Sequence, residues 1–155
     1  MRFADISLLE GEQLMSTPHE LAYRQMTPHM LEDDGKVAST VFGPASSDAG
    51  KPSYSRGSQV SAQEARDWHT RNAKSPSTGV YAVSVGEVIA AGRYTVDDSQ
   101  CVLPGGTVRA PGHCFVDFRG LDRTQKKELR ARLYMYAMER KEIPTEATLE
   151  DGHLF

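Results

Sequence analysis

A few charged or ionisable residues interrupt segments that are otherwise typical of buried β-strands. Arg24 lies in the alternating segment 21–26, while His113 and Asp117 lie at the entrance to and within the apolar segment 113–118. An arginine in a half-buried strand requires a carboxylate or an anionic ligand, because its guanidinium stays charged. Two interpretations remain open: a structural ion pair, for which Asp117 is the candidate partner, or a site that binds a phosphate or nucleotide.

Five residues form a candidate ligand-binding set on this argument. They are the strand residues Tyr23 and Arg24, the pair Tyr54 and Ser55 in a long Gly-, Pro- and Ser-rich segment, and His113 after the turn Pro111-Gly112. Long segments of that composition often carry function. The chain shows no complete set of nucleophile, base and orienting group by spacing, so we assign no catalytic residue at this stage.

Metal and thiol chemistry have little support in the sequence. No histidine or cysteine stands in a close-paired ligand spacing, so we predict no metal site. Cys114, between His113 and Phe115, is interpreted as a core thiol rather than a nucleophile. The two cysteines, Cys101 and Cys114, are too few for a disulfide framework, and we expect two reduced thiols.

The composition is that of an ordinary soluble domain. The chain has 155 residues, of which 39% are hydrophobic and 25% charged, and a net charge of -3. That charge creates no global field that would attract nucleic acid or an anionic membrane. The N-terminus lacks a signal-peptide core, and no apolar run approaches the ~20 residues that span a bilayer. We therefore expect a cytoplasmic protein of a bacterium or a phage.

The elements that must position these residues predict an α+β fold. We expect a single domain over residues 1–144, with a mixed or antiparallel sheet of about five short strands packed by two main helices, and an acidic C-terminal tail at 145–155. The predicted strands are 21–26, 37–42, 53–56, 78–85 and 113–118, with a brief edge strand at 107–109. The predicted helices are 6–15, 61–73, 85–91 and 122–142, the second and third preceded by capping boxes.

Several segments resemble a family of small uncharacterised bacterial proteins. The family carries a Tyr-Arg-Gln strand, a Ser…Phe-x-Pro segment, a Gly-Val-x-x-Val-x-Val strand and a late strand that begins with histidine. The similarity spans about residues 21–118. It rests on Tyr23-Arg24-Gln25, Asp34-Gly35-Lys36-Val37-Ala38-Ser39, Phe42-Gly43-Pro44, Ser61-Ala62-Gln63-Glu64-Ala65, Val80-Tyr81-Ala82-Val83-Ser84-Val85 with Glu87, and Gly112-His113.

The chain is also distantly similar to the ADP-ribosyltransferase-like folds, including the RES-type toxins that consume NAD. This similarity implies that Arg24 clamps the pyrophosphate, Tyr54 stacks on nicotinamide and Ser55 orients the ribose. His113 and Asp117 stand where many transferases carry a glutamate. An NAD-consuming or ADP-ribosylating enzyme is therefore the alternative function, with NAD as its cofactor.

The leading functional interpretation is a non-enzymatic accessory or interaction protein without a cofactor. It would have a ligand- or partner-binding cleft and a protein partner, or form a homo-oligomer. A third interpretation is nucleic-acid binding through the basic helix 122–141. Acidic residues interrupt its positive surface, so a solvated face is favoured over contact with nucleic acid.

Overall fold

An antiparallel sheet is the framework of the protein. The computed structural model describes residues 7–103, 105 and 109–149, and within them the sheet has six strands in the order β1-β5-β6-β3-β2-β4. The strands are β1 Gln13–Leu14, β2 Leu21–Met26, β3 Ser53–Arg56, β4 Gly79–Ser84, β5 Thr95–Asp97 and β6 His113–Val116. The α-helices are α1 Ala62–Asn72, α2 Val85–Ala90 and α3 Arg123–Arg140. The predicted α+β class is confirmed, with one strand more than the five expected.

The helices begin where the sequence predicts because their first turns are capped. Ser61 and Glu64 exchange hydrogen bonds at the start of α1, as Ser84 and Glu87 do at the start of α2. Each pair satisfies backbone N–H groups that a helix cannot bond internally. Asp122 caps α3 in the same way.

The two faces of the sheet differ in chemistry. The main hydrophobic core lies on one face, where Ala22, Met26 and Cys114 pack with Leu129 and Leu133 of α3. The register places Tyr23 opposite Ser55 and Ser55 opposite His113, so these side chains share the other face. Helix α1 packs against β2 and β4 and covers part of that second, more polar face.

Two predicted elements are wrong, and two short strands, β1 and β5, were missed. Residues 7–15 contain no helix, because Gly11 has a φ of +88° and the chain turns there into β1. Residues 37–42 form turns rather than a strand, with an isolated bridge between Val37 and Leu31. Strand β1 falls inside the wrongly predicted helix, and β5, which is three residues long, was predicted as loop. Most of the predicted edge strand 107–109 lies outside the described residues.

The predicted C-terminal tail begins along α1. Gln63 accepts a hydrogen bond from the Glu146 backbone N–H at 2.7 Å, and Arg66 donates one to Thr145 at 2.9 Å. Residues 145–149 are thereby held against the helix that covers the polar face. Residues 150–155 lie outside the described part.

Candidate functional site

A cavity of about 540 Å³ lies on the polar face of the sheet, beside α1. Its volume falls within the range of small-molecule sites. All five residues of the predicted ligand-binding set line it: Tyr23, Arg24, Tyr54, Ser55 and His113. A second cavity of about 480 Å³ adjoins the first and shares Ser55, Ala65, Trp68 and Ala110 with it.

Arg24 has a structural position at the edge of this cavity. Its guanidinium donates hydrogen bonds to the backbone carbonyl oxygens of Val41 at 3.1 Å, Ser53 at 2.8 Å and Gly43 at 3.4 Å. Arg24 is 8% exposed, and among the described residues no carboxylate lies within 4.0 Å of it. The arginine thus fixes the segment that precedes β3, and each of its three nitrogens already donates one hydrogen bond.

The expected partnership between Arg24 and Asp117 is wrong. Asp117 is fully buried and accepts hydrogen bonds from Arg119 at 2.9 Å. Its Oδ1 also forms an ion pair with the Arg93 Nη2 at 3.9 Å. Asp117 does serve as an internal counter-charge, as expected, but for these two arginines. Asp117 directly follows β6, and β3 lies between β6 and β2, so Arg24 and Asp117 are two strands apart.

Tyr54 lies within the core rather than free in the cavity. Only 2% of the residue is exposed, its hydroxyl donates to the Phe42 carbonyl at 3.1 Å, and the Arg24 Cζ lies 5.3 Å from its ring centroid. Burial raises the pKa of the Tyr54 phenol well above its usual range. Its ring is therefore held by protein contacts, which leaves little surface for a nicotinamide to stack on.

His113 is the centre of a hydrogen-bonded chain on the cavity wall. Its Nε2 lies 3.0 Å from the Ser53 Oγ, and its Nδ1 lies 2.6 Å from the Asp98 Oδ1. Arg109 donates to the other carboxylate oxygen of Asp98 at 2.8 Å. Ser53, Asp98, Arg109 and His113 all line the cavity.

The carboxylate determines which nitrogen of His113 carries the proton. A carboxylate only accepts, so at 2.6 Å the Nδ1 of His113 donates to Asp98. With one ring proton, on Nδ1, the Nε2 accepts from the Ser53 hydroxyl. The Arg109 Nη1, 3.3 Å from Nδ1, then donates to Asp98 rather than to the ring.

Two buried polar atoms in the cavity wall lack protein partners. Within the described residues, neither the Gln25 Nε2 nor the Thr27 Oγ1 has a hydrogen-bond partner. Both residues line the cavity, and Thr27 is 6% exposed. Buried polar groups are almost always paired, so such atoms beside a cavity call for an explanation.

The remaining ionisable residues around the cavity are held differently. The His69 Nε2 donates to the Ser75 carbonyl at 3.0 Å, and burial followed by the nearby charge of Arg24 lowers the pKa of His69. Lys51 also lines the cavity and forms no ion pair within 4.0 Å in the described part of the chain. Its Nζ lies 5.8 Å from the centroid of the Phe115 ring.

Both cysteines are free, and their chemistry is that of core or shielded thiols. Burial raises the pKa of the Cys114 thiol well above its usual value, which disfavours the nucleophilic thiolate. Among residues 7–103, 105 and 109–149, no group of three or more His, Cys, Asp or Glu residues is arranged to hold a metal ion. In the same ranges no helix combines the length and apolar character needed to cross a membrane.

Part of the basic surface of α3 is engaged within the protein. Arg140 pairs with Glu87 of α2 at 2.8 Å and donates to the Ala82 carbonyl at 3.0 Å. The Arg130 side chain lies against Gly43, where an added Cβ would come within 3.2 Å of it. These contacts reduce the set of cations available to a nucleic acid.

Searches against protein-family models, curated proteins and solved structures found no significant match to this chain. The resemblances to a small bacterial family and to ADP-ribosyltransferase-like folds therefore stay predictions.

Sequence reasoning located His113 but missed the residues it bonds. Ser53 falls in the predicted strand 53–56, whereas Asp98 falls in no predicted element. A signal was present in the residue types, since a serine, a histidine and an aspartate are a known catalytic combination. However, Asp98 lies 45 positions after Ser53 and His113 lies 15 positions after Asp98. Only strand pairing brings the three together.

Proposed function

We propose that the protein binds a small organic molecule in the cavity beside α1. The observation that carries this proposal is the pair of unpartnered polar atoms, Gln25 Nε2 and Thr27 Oγ1, in residues that line a cavity of about 540 Å³. Both atoms are buried as the side chains stand. A side-chain rotation that turned them toward the cavity would let a ligand supply an acceptor to the amide and a partner to the hydroxyl, which would offset the cost of their burial. That cost is about 1–3 kcal/mol per group.

The cavity has the mixed lining that small-molecule sites use. Tyr23, Met30, Trp68 and Leu103 supply aromatic and apolar surface, while Gln25 and its polar neighbours supply orientation. The ligand class that fits is an uncharged or anionic molecule with a flat apolar group and at least one polar substituent.

The test is a fragment screen by ligand-observed NMR with a matched pair of valine variants. Thr27→Val removes the unpartnered hydroxyl from the cavity wall at almost constant shape. Thr95→Val removes an equally unpartnered buried hydroxyl from β5, away from the cavity. Neither change should lower stability, because each removes an unsatisfied group.

Fragments with a polar substituent should bind the wild type and Thr95→Val alike and bind Thr27→Val several-fold more weakly. The proposal would be refuted if no fragment binds, or if Thr27→Val and Thr95→Val lose the same amount of affinity. The Trp68 indole N–H resonance should shift on binding, which places the ligand in the cavity.

The expectation of a protein partner or homo-oligomer remains a proposal of lower rank. A native mass spectrum that shows a dimer, or a pull-down with a reproducible partner, would support it. The NAD-consuming alternative has less support, since Arg24 and Tyr54 are engaged in protein contacts. Release of nicotinamide from NAD by the wild type, lost in Arg24→Ala, is the result that would favour it.

A further inference from the structure

We propose that Ser53, His113 and Asp98 form a catalytic triad that hydrolyses carboxylic esters in this cavity. The inference rests on the proposed ligand-binding function of the same cavity and gives it a substrate class. Two distances define the arrangement: 3.0 Å from the Ser53 Oγ to the His113 Nε2, and 2.6 Å from the His113 Nδ1 to the Asp98 Oδ1. These are the nucleophile–base and base–orienter hydrogen bonds of serine acyl transfer.

Each member of the triad is held by a different part of the fold. Ser53 begins β3, and its backbone carbonyl accepts the hydrogen bond from Arg24 at 2.8 Å. His113 begins β6, which pairs with β3. Asp98 directly follows β5, the other neighbour of β6, and is fixed by Arg109 at 2.8 Å. Sites built on paired strands hold their geometry better than sites on loops.

The three residues also have the exposures that the chemistry requires. The Ser53 side chain is exposed at the cavity, where a substrate can reach it. His113 has 17% and Asp98 8% of the side chain exposed, so the base and its orienting carboxylate are largely shielded from water. Shielding strengthens the bond between them, since a hydrogen bond to a charged group is worth more at low dielectric.

The reaction proceeds in two balanced halves. The Ser53 Oγ attacks the ester carbonyl carbon while its proton passes to the His113 Nε2; the bond from carbon to the alcohol oxygen then breaks, and the alcohol leaves with that proton. Water next attacks the acyl-serine, gives a proton to Nε2, and releases the carboxylic acid as the proton returns to the Ser53 oxygen. Asp98 stabilises the imidazolium that forms in each half.

Lys51 is the candidate for stabilising the tetrahedral oxyanion. It lies two residues before Ser53 and lines the same cavity. Its Nζ lies over the Phe115 ring, and Phe115 is the register partner of Ser53. A positive group near the carbonyl oxygen favours the transition state over the neutral ester.

The test uses an aryl fluorophosphonate probe, which reacts with activated serines, together with hydrolysis of p-nitrophenyl butyrate. The full chain is incubated with the probe, its intact mass is measured, and the modified residue is mapped by peptide mass spectrometry. We expect one equivalent of probe on Ser53. Ser53→Ala should lose both the label and the hydrolysis. Ser47→Ala, at an exposed serine outside the cavity, should retain both.

Variants of the other members separate a triad from a merely structural network. His113→Gln and Asp98→Asn should slow labelling and hydrolysis by about 10²–10⁴-fold. Lys51→Met should slow hydrolysis by about 10²-fold. Circular dichroism and thermal melting check that each variant is folded, and His113→Asn replaces His113→Gln if the latter does not fold.

Three results would overturn the triad: no label on folded wild type, a label on another residue, or labelling of Ser53 at an unchanged rate in His113→Gln. Fragment binding without labelling removes the triad and leaves the ligand-binding function standing. Labelling of Ser53 without fragment binding would remove the evidence for fragment binding and leave the triad standing. The two failures are therefore distinguishable.

Discussion

At the scale of single residues, Arg24 holds the turns at 41–43 and the start of β3 with side-chain hydrogen bonds. Arg24→Met should destabilise the protein by about 1–3 kcal/mol, because it leaves the Val41 and Ser53 carbonyl oxygens without their donor. Chemical denaturation monitored by fluorescence measures the loss. Arg132→Met, at an exposed position on α3, is the control and should change stability by less than about 0.5 kcal/mol. Equal effects would contradict the role of Arg24.

His69 should make stability depend on pH. Burial and the charge of Arg24 lower its pKa below the ordinary value of 6.5. The unfolded chain therefore binds a proton more readily than the folded one, and stability falls as the pH drops below 6.5, levelling off below the lowered pKa. NMR titration of the His69 ring should give a midpoint below 6.5. His69→Gln should have a flatter stability profile across that window, and an identical profile would contradict the prediction.

At the scale of elements, the turn at Gly112 determines where β6 begins and so where His113 lies. Gly112 has a φ of +65°, and an added Cβ would lie 2.9 Å from the Gln59 Cβ. Gly35 has a φ of +84° with open space around it. Gly35→Ala should cost about 1–2 kcal/mol for the backbone conformation alone. Gly112→Ala should cost a further ~1–3 kcal/mol for the overlap.

Thermal or urea unfolding of the two glycine variants provides the comparison. If the triad depends on this turn, Gly112→Ala also slows probe labelling of Ser53, whereas Gly35→Ala does not. Equal destabilisation by the two changes would show that the turn relaxes without loss of packing.

At the scale of the whole molecule, an ion cluster joins three segments of the sheet. Arg56 of β3 bonds Glu20, just before β2, at 2.6 Å and Asp97 of β5 at 2.8 Å. The hydrogen bonds from Arg56, which outweigh burial, lower the pKa of Glu20 below its ordinary value of 4.5. The folded carboxylate therefore contributes stability that is fully present above pH 4.5 and is lost as the pH falls through the lowered pKa.

Glu20→Gln should cost about 1.5–3 kcal/mol at neutral pH and should weaken the acid sensitivity below pH 4.5. Urea unfolding across a pH series measures both effects. Glu32→Gln, at an exposed glutamate, is the control and should follow the wild type. The linkage would be contradicted if the stability of Glu20→Gln fell below pH 4.5 as steeply as that of the wild type.

The segments with local signals were predictable in detail. Capping boxes located α1 and α2, and alternation located β2. The segment 37–42 misled because its β-branched residues indicate a strand, yet Val41 and Phe42 are buried in turns whose carbonyl oxygens bond Arg24 and Tyr54. Residues 95–97 were missed because three residues carry too short a pattern to read.

The sequence by itself determined the α+β class, the main helices, and the five residues now found around one cavity, since each depends on periodicity, capping or the chemistry of a single residue type. The tertiary structure decided their partners. Arg24 bonds carbonyls rather than Asp117, and His113 bonds Ser53 and Asp98. Strand order is a long-range property: β6 inserts between β3 and β5, and only that order brings a serine, a histidine and an aspartate within hydrogen-bond distance.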